Sequence, residues 1–195
     1  LVTGNSDTEL WELFTSGNQS AFSRLYDSYA DTLYAFGLRY TSDRDMVKDC
    51  IHDLFLDLHQ YRDGLAKDVN VRFYLLKSFK RKLLGANKRA SLLSLNGWNA
   101  EESLPISSFS FSVEQEIISD EKQSEMFQML ATQINLLPER QREVLYLKFT
   151  HDLNYDQIAS IMQISVPTCR TFVYRALKEL RGKLELSVIL FILWT

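Results

Sequence analysis

Apolar residues recur at intervals of three and four along most of this chain, the spacing of amphipathic helices. Glu9 to Phe14 reads as a short helix. Asn18 is a plausible N-cap for a second, in which Phe22, Leu25, Tyr26, Tyr29, Leu33 and Phe36 share one face. Gly37 and the polar Thr41, Ser42 and Asp43 end that helix, and a third runs from about Asp43 to Gln60 on a stripe of Val47, Cys50, Ile51, Leu54 and Leu58. A polar loop, Tyr61 to Asn70, precedes a fourth helix from Val71 to Ala86. The period then lapses. Ser91 to Asp120 is rich in Ser and Asn, contains Gly97 and Pro105, and reads as an acidic linker. Helical spacing returns at Met126, Leu130, Ile134 and Leu137. Pro138 stands where a first-turn proline opens a helix to Phe149. Asn154 and Gln157 form a capping-box start for Tyr155 to Met162, and a break at Gln163 to Ser165 leads to a last helix from Val166 to about Gly182.

Composition narrows the class. With 195 residues, 46% hydrophobic and 24% charged, the chain has the makeup of one globular domain or two small ones. Seven glycines and three prolines are too few for a turn-rich sandwich or barrel. The expected fold is all-α: two small helical domains joined by a linker. The boundaries fall at 7–90, a linker over 91–120, a second domain over 121–185, and an apolar tail over 186–195. A formal net charge of -3 excludes a protein that is basic all over, but leaves room for local basic patches. Cys50 and Cys169 form no disulfide or zinc pattern, which fits a reducing, cytoplasmic setting. Leu1 to Asp7 lacks a signal-peptide layout. The apolar run Leu186 to Trp194 is far shorter than the ~20 residues a membrane span needs. That run either extends the last helix into its own core or packs on the first domain.

Three groups of residues carry candidate chemistry. Tyr155 to Leu180 has the layout of a helix-turn-helix, with Ala159 small where two helices cross. Ile158, Ile161, Ile164, Cys169, Val173, Ala176 and Leu180 form its expected core. The other side of its last helix carries Thr168, Arg170, Thr171, Tyr174, Arg175 and Lys178. Guanidinium forks suit guanine edges and phosphates, and hydroxyls suit phosphate oxygens. A solvated basic face on a bundle helix is the plainer alternative. The second group, Lys77, Lys80, Arg81, Lys82, Lys88 and Arg89, is interleaved with Phe73, Tyr74 and Phe79. Cations that track a backbone and rings that stack on bases suit single-stranded or melted nucleic acid, unless the rings are simply core. The third group is the row Asp45, Asp49, Asp53 and Asp57, spaced four apart along one helix face. A straight row does not converge on a metal, so it is either a solvated face or a docking face for a basic protein. His52 and His59 lie close to it. No Gly-rich phosphate loop, HExxH, nucleophile elbow or metal spacing occurs, so no enzyme, catalytic residue, metal or cofactor is expected.

Together these segments resemble the RNA polymerase sigma factors of the extracytoplasmic-function (ECF) class, from about Leu10 to Leu184. "AFSRLYDSYADTLYAFGLRYTSDRD" is similar to the opening of that family's promoter-melting domain. "VKDCIHDLF", Val47 to Phe55, resembles its helix that docks on the polymerase clamp, with Asp49 and Asp53 at usual acidic positions and His52 at a common Gln. "FYLLKSFKRKLL" is similar to the helix that contacts the melted downstream element, although Arg81 stands where the family often has Asn, which favours a phosphate contact there. "LPERQREVLYLKF", "LNYDQIASIM" and "SVPTCRTFVYRALKELR" resemble the domain that reads the upstream element. The resemblance implies a specificity subunit that binds core RNA polymerase, through Asp45, Asp49, His52, Asp53 and Phe55, and promoter DNA. It also implies an anti-sigma partner. The runner-up is a stand-alone helix-turn-helix regulator that binds duplex DNA as a dimer.

Overall fold

The computed structural model describes residues 4–95, 109 and 121–183. All eight helices among the described residues follow the periodic segments, and these residues contain no strand. The chain divides into two compact units, Leu1–Ser107 and Ser108–Thr195. The apolar run 186–194 and most of the expected linker lie outside the described residues.

The first unit holds α1 (Gly4–Thr15), α2 (Gln19–Gly37), α3 (Arg44–Gln60) and α4 (Val71–Leu95). α1 begins earlier than the apolar spacing predicts. α4 runs on through Leu95, so the first residues of the expected linker are helical. Side-chain caps mark the helix starts: Asn18 Oδ1 accepts from the Ala21 amide, Asp43 from the amides of Asp45 and Met46, and Asn70 from that of Phe73. Leu25, Leu33, Phe36, Val47, Leu54, Leu75, Leu76, Phe79 and Leu83 fill the core.

Gly37 ends α2 in contact with two helices. A β-carbon there would stand 2.8 Å from Val47 Cγ1 and 3.0 Å from Phe79 Cζ, so the missing side chain lets α2 close on α3 and α4. Trp11 is fully buried and its indole N–H donates to the Ala66 carbonyl at 2.9 Å, which ties the loop between α3 and α4 to α1. That loop contains a 3-10 turn at Arg62–Gly64.

The second unit comprises α5 (Glu121–Asn135), α6 (Glu139–Phe149), α7 (Tyr155–Met162) and α8 (Val166–Lys183). Pro138 is the residue that precedes α6 rather than the first helical one; its φ of -53° and ψ of 142° feed the chain in from an extended conformation. Glu143 to Leu147 are all buried, so α6 is wrapped by its neighbours along its middle. Ile134, Leu137, Leu145, Ala176 and Leu180 form a core cluster, with Leu130 and Leu177 against it. Phe109, inside the expected linker, belongs to this unit. It is fully buried, its ring centroid lies 5.4 Å from that of Tyr146, and its amide donates to Glu139 Oε1 at 3.2 Å.

Candidate nucleic-acid interface

The turn between α7 and α8 fixes the helix-turn-helix. Asn154 and Gln157 form a reciprocal capping box, each accepting from the other's amide at 2.9 Å. α7 ends at Gln163 in the left-handed region, φ 54° and ψ 47°, and the Ile164 amide returns to the Ala159 carbonyl at 3.0 Å. Ser165 then starts α8: its carbonyl accepts from the Cys169 amide and its Oγ from the Thr168 amide. Cys169, Val173, Ala176 and Leu180 face inward. Burial pushes the Cys169 thiol above its ordinary ionisation range, partly opposed by Arg170 and Lys148.

On the outward side, Arg170, Thr171, Tyr174, Arg175 and Lys178 are exposed, Tyr174 to 66%. Thr168 is half-buried. The two threonines are already engaged. Thr171 Oγ1 donates to the Pro167 carbonyl at 2.9 Å, and Thr168 Oγ1 shares a hydrogen bond with Ser165 Oγ at 2.8 Å. The sequence offers both hydroxyls to phosphate, whereas the structure turns them to the helix start. The guanidinium, phenol and ammonium groups are what α8 presents outward.

The basic stretch of α4 divides between surface and interior. Lys77, Arg81, Lys88 and Arg89 are exposed. Lys80 is 7% exposed, with its ammonium 5.0 Å from the centroid of the Tyr40 ring. Lys82 Nζ lies 2.6 Å from Asp57 Oδ2, an ion pair that joins α4 to α3. Phe79 is wholly core. Tyr74 is half-buried with its ring 5.3 Å from that of Trp11, and Phe73 is half-buried beneath Lys77. The expected set of Phe73, Tyr74, Lys77, Lys80, Arg81, Lys82, Lys88 and Arg89 is therefore not one surface. Lys80 lies inward because it shares the helix face of Leu76, Phe79 and Leu83, and Lys82 is drawn to a carboxylate.

On α3 the four aspartates of the row and His52 are all exposed. Lys48 pairs with Asp45 at 3.4 Å and Lys82 with Asp57, while Asp49 and Asp53 make no ion pair among the described residues. Both disfavour the thiolate form of the cysteine they flank. The Cys50 thiol is shifted upward by burial first and then by Asp53, with Lys82 opposing and a smaller upward effect from Asp49. Phe55 departs from the expectation of a docking contact. It is 2% exposed and packs edge-on against Phe22 and Tyr26, at centroid distances of 6.0 and 4.8 Å. α2 covers that side of α3, which widens the buried arc beyond the expected stripe. Among the described residues, no cluster of His, Cys, Asp and Glu could hold a metal ion, and no helix is long and apolar enough to cross a membrane.

Comparison with known proteins finds matches over most of the chain. Residues 127–180 match the family model described as "Sigma-70, region 4". The chain is 25% identical over 187 residues to the ECF RNA polymerase sigma-E factor of Escherichia coli K12, covering 92% of this chain and 95% of that protein. It is 22% identical over 158 residues to the ECF RNA polymerase sigma factor SigM of Bacillus subtilis, covering 81% and 91%. Among solved structures, it is similar in fold to the sigma factor RpoE in complex with the anti-sigma factor NepR from Bartonella quintana. That match has a TM-score of 0.58 at 16% identity, over 85% of this chain and 97% of that one. CnrH in complex with the cytosolic domain of CnrY is also similar, with a TM-score of 0.54 at 20% identity over 90% and 95%.

Proposed function

We propose a division of labour within this chain, which belongs to the ECF class of RNA polymerase sigma factors. It recruits core polymerase to promoters and supports initiation, while the bond-making chemistry stays with the polymerase. Residues 7–90 act as the core-binding and melting domain, 91–120 as the connection, and 121–185 as the reader of the upstream element. The observation that carries this reading is the two-sidedness of α8: four buried residues seat it, and Arg170, Tyr174, Arg175 and Lys178 face outward.

α8 enters the major groove of the upstream duplex. A bidentate guanidinium contact to a base contributes roughly 1–3 kcal/mol of discrimination. Thr168 and Thr171 support the start of α8 and make at most secondary contacts. Lys77, Arg81, Lys88 and Arg89 hold the backbone of the melted downstream strand, and the loop before α4 receives unstacked bases. Unstacking costs roughly a few kcal/mol per step, so base capture offsets part of it. Four phosphate contacts on a single strand give a logarithmic salt slope of about -3.

Asp49 and Asp53, free of ion pairs among the described residues, dock with His52 and Asp45 on a basic surface of core polymerase. That docking face also explains how an acidic chain serves as a DNA-binding subunit. Phe55 supports the face from beneath. Two fold neighbours were solved with an anti-sigma factor or a cytosolic partner domain, and an anti-sigma factor that masks these surfaces is proposed here too. The site of action is the cytoplasm, where core polymerase and promoter DNA meet. A stand-alone regulator would leave the first unit and its acidic face without work.

Replacing Arg175 with alanine tests the assignment. Transcription from a promoter that depends on its upstream element is expected to fall at least fivefold, with core binding unchanged. Equal loss of both, or loss of neither, contradicts it.

A further inference from the structure

The ring of Tyr155 lies beneath two cations from different helices. The Arg170 guanidinium of α8 is 5.5 Å from its centroid and Lys148 Nζ of α6 is 5.6 Å from it. Tyr155 is the first residue of α7, directly after the Asn154 cap, so the capping box fixes the backbone that carries the ring. Lys148 is held a second time, since its ammonium donates to the Leu153 carbonyl at 3.3 Å. The platform is thus anchored by α6 and α7, and Arg170 reaches it from α8. An arginine that binds through its π-face keeps its in-plane N–H donors available, and those are the donors used for a guanine edge or a phosphate.

We infer that Tyr155 is a positioning residue for promoter recognition: its ring stacks the Arg170 guanidinium and preorganises it for the DNA that α8 reads. This rests on the reading of α8 as the duplex-contacting helix. Tyr155 itself touches no base. It acts by reducing the rotamer freedom that Arg170 gives up on binding, a freedom that is large for a long side chain.

The test uses full-chain holoenzyme and a promoter duplex recovered by that holoenzyme from a randomised pool. Tyr155→Leu removes the π-face and is expected to weaken duplex affinity about three- to fivefold, the range of an exposed cation–π contact. The loss should concentrate at the base pairs that Arg170→Ala also affects. Tyr155→Phe, which keeps the ring, should bind like the parent. In an Arg170→Ala background, Tyr155→Leu should add nothing. Equal losses from Tyr155→Leu with and without Arg170, or failure of phenylalanine to rescue, overturn the positioning role and leave the reading of α8 standing. If Arg170→Ala itself leaves affinity unchanged, the underlying reading of that residue falls and the inference with it. A readout without substitution guards against a variant that folds poorly. Ring current should shift the Arg170 side-chain protons upfield of those of Arg175 in the free protein, and unshifted protons contradict the stacking.

Discussion

Gly37 and Val47 meet so closely that a single added carbon on the glycine would come within 2.8 Å of the valine side chain. Phe79 stands 3.0 Å away on the other side, and both neighbours are fully buried. Neither can yield without disturbing the core. Gly37→Ala is therefore expected to destabilise the first unit by about 1–3 kcal/mol, despite the better helix propensity of alanine. Urea unfolding followed by signals from that unit measures it. A stabilising or neutral alanine would mean that the three helices can separate at no cost.

Phe109 makes a comparable claim on the second unit. Its ring is fully buried against Tyr146 and its amide is held by Glu139. Phe109→Ala should cost about 3 kcal/mol and raise the hydrogen exchange of α6 amides in the full chain. Unchanged protection would show that α6 does not depend on this residue.

Gln163 is a non-glycine residue in the left-handed region, at φ 54°. A β-carbon there costs roughly 1 kcal/mol or more relative to glycine. Gln163→Gly is expected to raise the stability of the second unit by about 0.5–1 kcal/mol. The gain should leave DNA affinity intact, because Gln163 lies in the turn before α8. A destabilised variant would mean that the glutamine side chain supports the turn.

The Tyr29 hydroxyl donates to Asp7 Oδ2 at 2.6 Å. Burial, and then the hydrogen bond and charge of Asp7, push its ionisation far above the ordinary 10.0, with Arg72 opposing. The folded state therefore holds the proton more tightly than the unfolded one. Stability from this source is complete below pH 10.0 and declines as the pH rises above it. Tyr29→Phe should flatten the alkaline limb of a stability–pH curve. An identical limb in both proteins would contradict the shift.

The periodic segments were legible because an amphipathic helix writes its buried face into its spacing, and the caps Asn18 and Asn154 announce two of the starts. What stayed hidden depends on neighbours in space. Phe55 lies four residues after Ile51, at the edge of the α3 stripe, and the approach of Phe22 and Tyr26 buries it. Lys80 and Lys82 belong to a run of cations that looks uniformly solvated, yet Tyr40 and Asp57 take them from other helices. Phe109 lies beside Phe111 in a stretch without helical period, and no helical spacing marks it. The Tyr155 platform joins residues from three helices that no spacing rule connects. The outward set on α8 was legible except for its hydroxyls, whose engagement depends on the local geometry of the turn.

The central claim is that the exposed carboxylates of α3 dock this chain on core RNA polymerase. Co-elution of the purified chain with core polymerase at moderate salt tests it most directly, with the Asp49→Arg, Asp53→Arg double variant beside the parent. Both positions are exposed, so the variant should fold like the parent, as checked by its unfolding midpoint. The expected result is co-elution of the parent and none of the variant. Equal co-elution of a folded variant would contradict the docking face.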